Sequence, residues 1–181
     1  LPDLHEVELK SHRIGSTSMI TLFTFNRKAW KMKPLEAIRK YGTLDTNGRL
    51  GMYFTMSPTP NGSGLFLHTE KESISVRHIS GEIVAEWNLE NLAERFISKF
   101  PGLVLASAFS EMRGDSEWFQ FTRSQLLTDT SPEILREQIL AGNVLVDLRL
   151  HDKGTSARNH GTGFRAKKEK LQMLFKNVEE L

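Results

Sequence analysis

Short runs of strand character recur along the whole chain, at 5–10, 18–25, 51–56, 65–69, 73–79, 103–109, 117–122 and 144–150. Helical periodicity interrupts them at 34–41, 88–100, 131–141 and 167–176. The mixture points to an α+β, α/β/α-like fold in which a central mixed β-sheet is flanked by helices. Two helix starts are marked in the side chains. Asn88 followed by Glu90, and Ser131-Pro132-Glu133, each set a capping group ahead of the first turn and an acid near the positive end of the helix dipole. The Pro/Gly-rich stretch 58–64 reads as a hairpin loop or surface excursion between two strands. The Gly, Ser, Thr and Asn of 151–163 read as a long functional loop leading to a short strand and a basic helix.

With 181 residues the chain suits one domain built on one core, so 1–181 is expected to be a single unit. There is no internal repeat and no run of 18 apolar residues, and the first residues lack the pattern of a signal peptide, so the expectation is a cytoplasmic protein with no membrane partner. The chain has no cysteine, which removes disulfides, thiolate zinc sites and cysteine nucleophiles; any metal must be held by oxygen or histidine. Net charge is only +2, but it is unevenly placed. From Arg149 to Lys176 eight Lys or Arg face two acids, giving +6 there and −4 over the remainder. Such asymmetry suits a polyanion, or a solvated helix face.

The start of the chain concentrates chemistry. On a strand, residues two apart share a face, so Glu6, Glu8 and Lys10 are expected on one charged face with Val7 and Leu9 buried on the other. Asp3, following Pro2, stands where a bend can bring its carboxylate toward Glu8. Two carboxylates with a lysine two residues on offer hard oxygen ligands to magnesium, with Asp3, Glu8 and the Leu9 carbonyl as the metal set and Lys10 beside the attacking water. An exposed strand whose Glu and Lys pair across a sheet would look the same.

Pro2-Asp3, four residues, then Glu8-Leu9-Lys10 resembles the PD-(D/E)xK nuclease motif. The runs 1–12 (LPDLHEVELKSH) with 18–24 (SMITLFT), 144–149 (VLVDLR) and 159–165 (NHGTGFR) are similar to the MvaI/BcnI-type restriction endonucleases, in three ordered blocks, with a looser likeness over 107–127. The resemblance implies a restriction-endonuclease-like core shared with the mismatch-repair nicking endonuclease. It implies a monomer that uses Mg2+ to cut double-stranded DNA one strand at a time within a CC-N-GG type site. It makes Asp3, Glu8 and Lys10 the catalytic set and Asp147, Arg149, His160 and Arg165 the base readers.

The readers' chemistry suits a site of G and C. Arginine pairs with guanine O6 and N7, aspartate accepts from cytosine N4, and histidine can donate to guanine. Each has a plainer alternative: Asp147 and Arg149 share a strand face and could pair with each other, and His160 could cap the loop. His12 either approaches DNA or ends its strand. Lys153, Arg158, Lys167, Lys168 and Lys170 read as phosphate contacts or solvated charges. Trp30, Trp87 and Trp118 read as core or partly buried packing.

Family members carry a helical segment ahead of the motif. The expectation is therefore a catalytic domain from a longer protein whose N-terminal module binds a second DNA as effector. Rival readings are a strand-selective nicking enzyme of repair and a catalytically silent DNA-binding domain.

Overall fold

Strand β1 (Val7–Arg13) lies parallel to β8 (Gly102–Arg113), with Glu8 opposite Leu103 and Lys10 opposite Leu105. β8 turns through Gly114, whose φ of 60° is a conformation that glycine adopts without a Cβ clash. It returns as β9 (Ser116–Thr128), and β13 (Asn177–Glu180) completes a mixed sheet in the order β1-β8-β9-β13. This computed structural model describes residues 2–26 and 28–181; Leu1, the first residue of the run that carries the family motif, lies outside the described residues.

A second sheet orders β2 (Ile20–Thr24), β12 (Gly163–Ala166), β10 (Val144–Asp152), β4 (Leu50–Met56) and β3 (Thr43–Leu44), with β11 (Ala157–Asn159) pairing β10. A third, smaller sheet holds β5 (Leu65–Thr69), β6 (Ser73–His78) and β7 (Ile83–Asn88). The α+β character is as expected, with the strands distributed over three sheets.

Helices α1 (Pro34–Tyr41), α2 (Leu89–Lys99) and α3 (Pro132–Leu140) pack on these sheets and on one another. Both marked starts form caps. The Asn88 side chain accepts from the Asn91 amide at 3.0 Å and Ser131 Oγ from the Ile134 amide at 3.3 Å. Among the described residues no helix is long and apolar enough to cross a membrane.

Several local expectations are corrected. The 58–64 stretch is no hairpin: it carries the chain from β4 in one sheet to β5 in another. The supposed loop 151–163 contains the end of β10 and all of β11, which pair antiparallel. The expected basic helix is a 3₁₀ helix, Lys168–Leu174, followed by β13. Its two buried residues, Leu171 and Leu174, are three apart, the spacing at which side chains eclipse on a three-residue turn. β7 was hidden because its buried Val84, Ala85 and Trp87 run into the helical pattern of α2.

The core runs continuously between the second and third sheets and α2. Phe164 is its pivot, stacked on Phe23 with centroids 4.9 Å apart and edge-on to Trp87 at 5.5 Å. Trp87 is buried and its indole N–H donates to the Phe25 carbonyl, whereas Trp30 only packs against the core margin. Trp118, expected to be packed, is 54% exposed on the β8–β9 hairpin. Phe164→Ala should cost about 3–5 kcal/mol of stability through the cavity it leaves, read as a lowered urea midpoint with an unchanged m-value.

Candidate active site

Glu8 is 1% exposed, and Leu9 is 43% exposed. The expected polarity of β1 is therefore inverted: the face carrying Glu8 and Lys10 turns inward and Leu9 turns out. The register explains it. Leu103 and Leu105, opposite Glu8 and Lys10, are core residues, so a flat pairing draws the charged pair to the buried side. A buried carboxylate needs partners, and two lysines supply them. Lys10 Nζ lies 2.6 Å and Lys99 Nζ 3.2 Å from Glu8 Oε1. Glu8 Oε2 is buried and has no hydrogen-bond partner.

Asp3 meets this site from the open edge of β1, its Oδ2 accepting from the Leu9 amide at 3.2 Å. A strand residue's N–H and C=O point to the same side, so the Leu9 carbonyl faces the same edge. Among the described residues no group of three or more His, Asp or Glu side chains is arranged to hold a metal. The local donors are the Asp3 carboxylate and the Leu9 carbonyl at the strand edge and, on the buried face, the unpartnered Oε2 of Glu8. That donor set fits a hard divalent cation that keeps several of its waters.

A cavity of about 870 Å³ opens beside Lys10 and His12. Met19, Ile20 and Thr21 line its far side, and Phe119 and Phe121 one wall. His12 sits in the interior of β1 rather than at its end, with Nδ1 3.4 Å from the Ala106 carbonyl. Burial, then the nearby Lys168 ammonium, hold its pKa below the usual histidine value. Lys168 donates to the carbonyls of Ser16 (2.8 Å) and Arg13 (3.3 Å), so it stitches the turn after β1 rather than standing free for phosphate. Another cavity of about 820 Å³, between the third sheet and α2, includes neither Lys10 nor Glu8 in its lining.

The second sheet gathers three of the expected readers, Asp147, Arg149 and Arg165, around a separate cavity of about 240 Å³ that Tyr53 and Thr55 also line. Asp147 is buried on β10. Its Oδ1 accepts from Thr55 Oγ1 at 2.7 Å, and its Oδ2 from Arg165 Nη1 at 2.7 Å and Arg149 Nη2 at 3.1 Å. Burial works against this carboxylate, but hydrogen bonds from Thr55, Arg165 and Arg149 outweigh it and leave its pKa below the usual range. The pairing of Asp147 with Arg149 on one strand face is thus real, and Arg165 joins it.

Arg165 also donates to the Met19 carbonyl at 2.8 Å, which ties the reader cluster to the cavity wall facing Lys10. His160 is exposed, its Nε2 3.2 Å from His151 Nδ1, which in turn lies 3.0 Å from the Tyr53 hydroxyl. Burial and then the surrounding cations hold the His151 pKa low. Lys153 and Arg158 are exposed on the β10–β11 hairpin, Lys170 is exposed on the 3₁₀ helix, and Lys167 is half-buried beside it.

The model of the MvaI/BcnI restriction endonuclease family matches residues 1–175. The chain belongs to that family. Comparison with curated proteins found no match. Among solved structures it is similar to the restriction endonuclease MvaI in complex with its cognate DNA substrate, with a TM-score of 0.78 and 23% identity over 99% of this chain and 79% of that one. It is also similar to MvaI in the absence of DNA, with a TM-score of 0.65 and 24% identity over 99% of this chain and 80% of that one. Family membership makes the chain a restriction endonuclease, a DNA-binding hydrolase.

Residues that sequence reasoning missed fall into two kinds. Thr55, Tyr53 and His151 were recoverable in part, because His151 continues the period-two face of Asp147 and Arg149 along β10. Thr55 and Tyr53 stand directly opposite Asp147 and Arg149, which requires knowing that β4 is the neighbour. Lys99 carried no such signal, since a lysine in the last turn of a helix normally reads as a partner for the dipole.

A depressed carboxyl contributes stability above its unfolded pKa, near 4, and loses it as pH falls through the lower folded value. Asp147→Asn should therefore be less stable than the parent at neutral pH, with the gap closing as pH drops below about 4. Urea midpoints measured across pH would show it, and a gap independent of pH would contradict it.

Proposed function

We propose that this member of the MvaI/BcnI family is a magnesium-dependent type II enzyme that hydrolyses both strands of duplex DNA at a short CC-N-GG type site, acting as a monomer. The observation that carries this reading is the buried Glu8, with one oxygen held by Lys10 and Lys99 and the other unpartnered, where Lys10 lines a cavity whose Met19 is joined to Arg165 and, through it, to Asp147 and Arg149. DNA is the substrate named for the MvaI complex, and the +6 balance of 149–176 suits a polyanion of that kind.

Asp3, Glu8 and the Leu9 carbonyl would hold the metal. When bound, a divalent cation supplies neutralisation of phosphate charge and a more acidic water. The protein's own groups do the rest. Lys99 keeps a cation on Glu8 Oε1, which leaves Lys10 free to turn toward the attacking water and orient it, and both ammoniums stabilise charge building on the phosphate. On the second sheet Asp147 fixes the planes of Arg149 and Arg165 for guanine O6 and N7 and retains one lone pair for a cytosine amino group. His160, oriented by His151, is the fourth reader. His12, Lys153, Arg158 and Lys167 contribute positive or polar surface toward the backbone.

Lys10→Ala should bind cognate DNA with near-parental affinity in Ca2+ and give no product in Mg2+, as followed by gel shift and by digestion of mapped plasmid. Cutting at the normal rate would reject the assignment. In the same digestion the parent should carry supercoiled plasmid through open circle to linear; arrest at open circle would identify a nicking enzyme. Arg165→Ala should lose about 1–3 kcal/mol of discrimination at one base pair, measured as the ratio of kcat/KM on cognate and singly substituted duplexes.

A further inference from the structure

The β8–β9 hairpin outgrows its sheet. β1 ends opposite Ala108 and β13 pairs only Gln125–Thr128, so residues 109–120 form an arm whose ladder partners are each other, with Phe121 at its base opposite Ala108. An isolated two-stranded ribbon is marginal in water, yet this one displays large apolar side chains. Phe119 is 50% and Phe121 66% exposed, and Met112 and Trp118 are exposed as well. A concentration of this kind marks a contact surface.

The two phenylalanines lie two residues apart on β9, opposite Ser110 and Ala108, and so share one face. That face is continuous with the catalytic cavity, whose lining includes both rings together with Lys10, His12 and Arg13. Arg13 is fixed there, its guanidinium 5.3 Å from the centre of the Phe119 ring and paired with Glu117 at 2.9 Å. Apolar rings flanked by Arg13 and Lys10 complement a sugar and base surface bordered by phosphates, and they do so beside the group proposed to face the scissile bond. The opposite face of the arm is already engaged, with Arg113 stacked on Trp118 and paired with Glu111.

We propose that this hairpin is a DNA-deforming arm. Phe119 and Phe121 wedge against the nucleotides next to the cut and unstack them, so that the phosphate can reach Lys10. The proposal rests on the reading of the chain as a duplex-DNA endonuclease. Apolar wedges are a known means of paying for a bend with added contact, and the deformation would add selectivity at steps no reader touches.

The test uses the intact protein and a cognate duplex carrying 2-aminopurine beside the mapped cut, with Ca2+ to hold the uncut complex. The parent should raise the fluorescence several-fold. Phe119→Ala/Phe121→Ala should keep less than half of that rise and cut at least ten times more slowly at saturating DNA, while its discrimination at the base pairs assigned to Asp147, Arg149 and Arg165 is unchanged. Phe121→Trp should restore most of both. Because both rings are largely exposed, the double variant should keep the parental urea midpoint; a large drop would mean the rings act in folding and would overturn the proposal. Parental fluorescence and rate in the double variant would also overturn it. So would a variant that loses only concentration-dependent association in sedimentation, which would assign the face to a second copy of the chain. If the parent itself cuts no DNA, the nuclease reading fails first and the arm falls with it; if the parent cuts and the variant matches it, the arm alone fails.

Discussion

The carboxylate of Glu8 is the constraint around which the amino-terminal half of the site is organised. An ion with almost no solvent contact is tolerated only where opposite charge and hydrogen bonds replace its water. Here both replacements fall on one oxygen, through Lys10 from its own strand and Lys99 from the end of α2. The arrangement leaves the second oxygen without a partner, a state that costs stability in the free protein. A cation bound there would relieve that deficit. α2 has to be in place for the Lys99 contact, which makes the cap at Asn88 and the packing of Phe96 and Phe100 part of what holds Glu8.

A second buried carboxylate performs a different task. Asp147 draws two guanidiniums and a hydroxyl to itself, and its partners come from three strands of one sheet. Arg165 carries the connection further, to the main chain at Met19, on the wall of the cavity that Lys10 enters. The two sheets thereby meet through a short run of backbone between β1 and β2 that Lys168 also holds.

Part of this was legible in the sequence. The spacing of Glu8 and Lys10 put them on one strand face, where they pair, and the three blocks indicated the family, because these residues are close in sequence or fall in short ordered runs. The helix starts at Asn88 and Ser131 were legible for the same reason: a cap is a contact between residues three apart. The polarity of β1 was misread. Alternation gives which residues share a face, but which face is buried depends on a neighbour ninety-odd positions away and on α2 above it. The 3₁₀ helix was misread because its Lys and Glu content resembles an ordinary amphipathic helix, while its period of three shows only once Leu171 and Leu174 find the same pocket of core.

The chain by itself determined the local chemistry: an acid and a lysine on one strand with a second acid just ahead of it, arginines and a histidine in two short blocks, no thiol, and a positive stretch from Arg149 to Lys176. Those are properties of covalent order and of period-two or near-neighbour geometry. Tertiary structure alone decided that Lys99 joins Glu8, that Thr55 and Arg165 converge on Asp147, and that Phe119 and Phe121 face the catalytic cavity. Each of those contacts joins residues far apart along the chain, and strand pairing and helix docking, which burial of the whole core selects, bring them together.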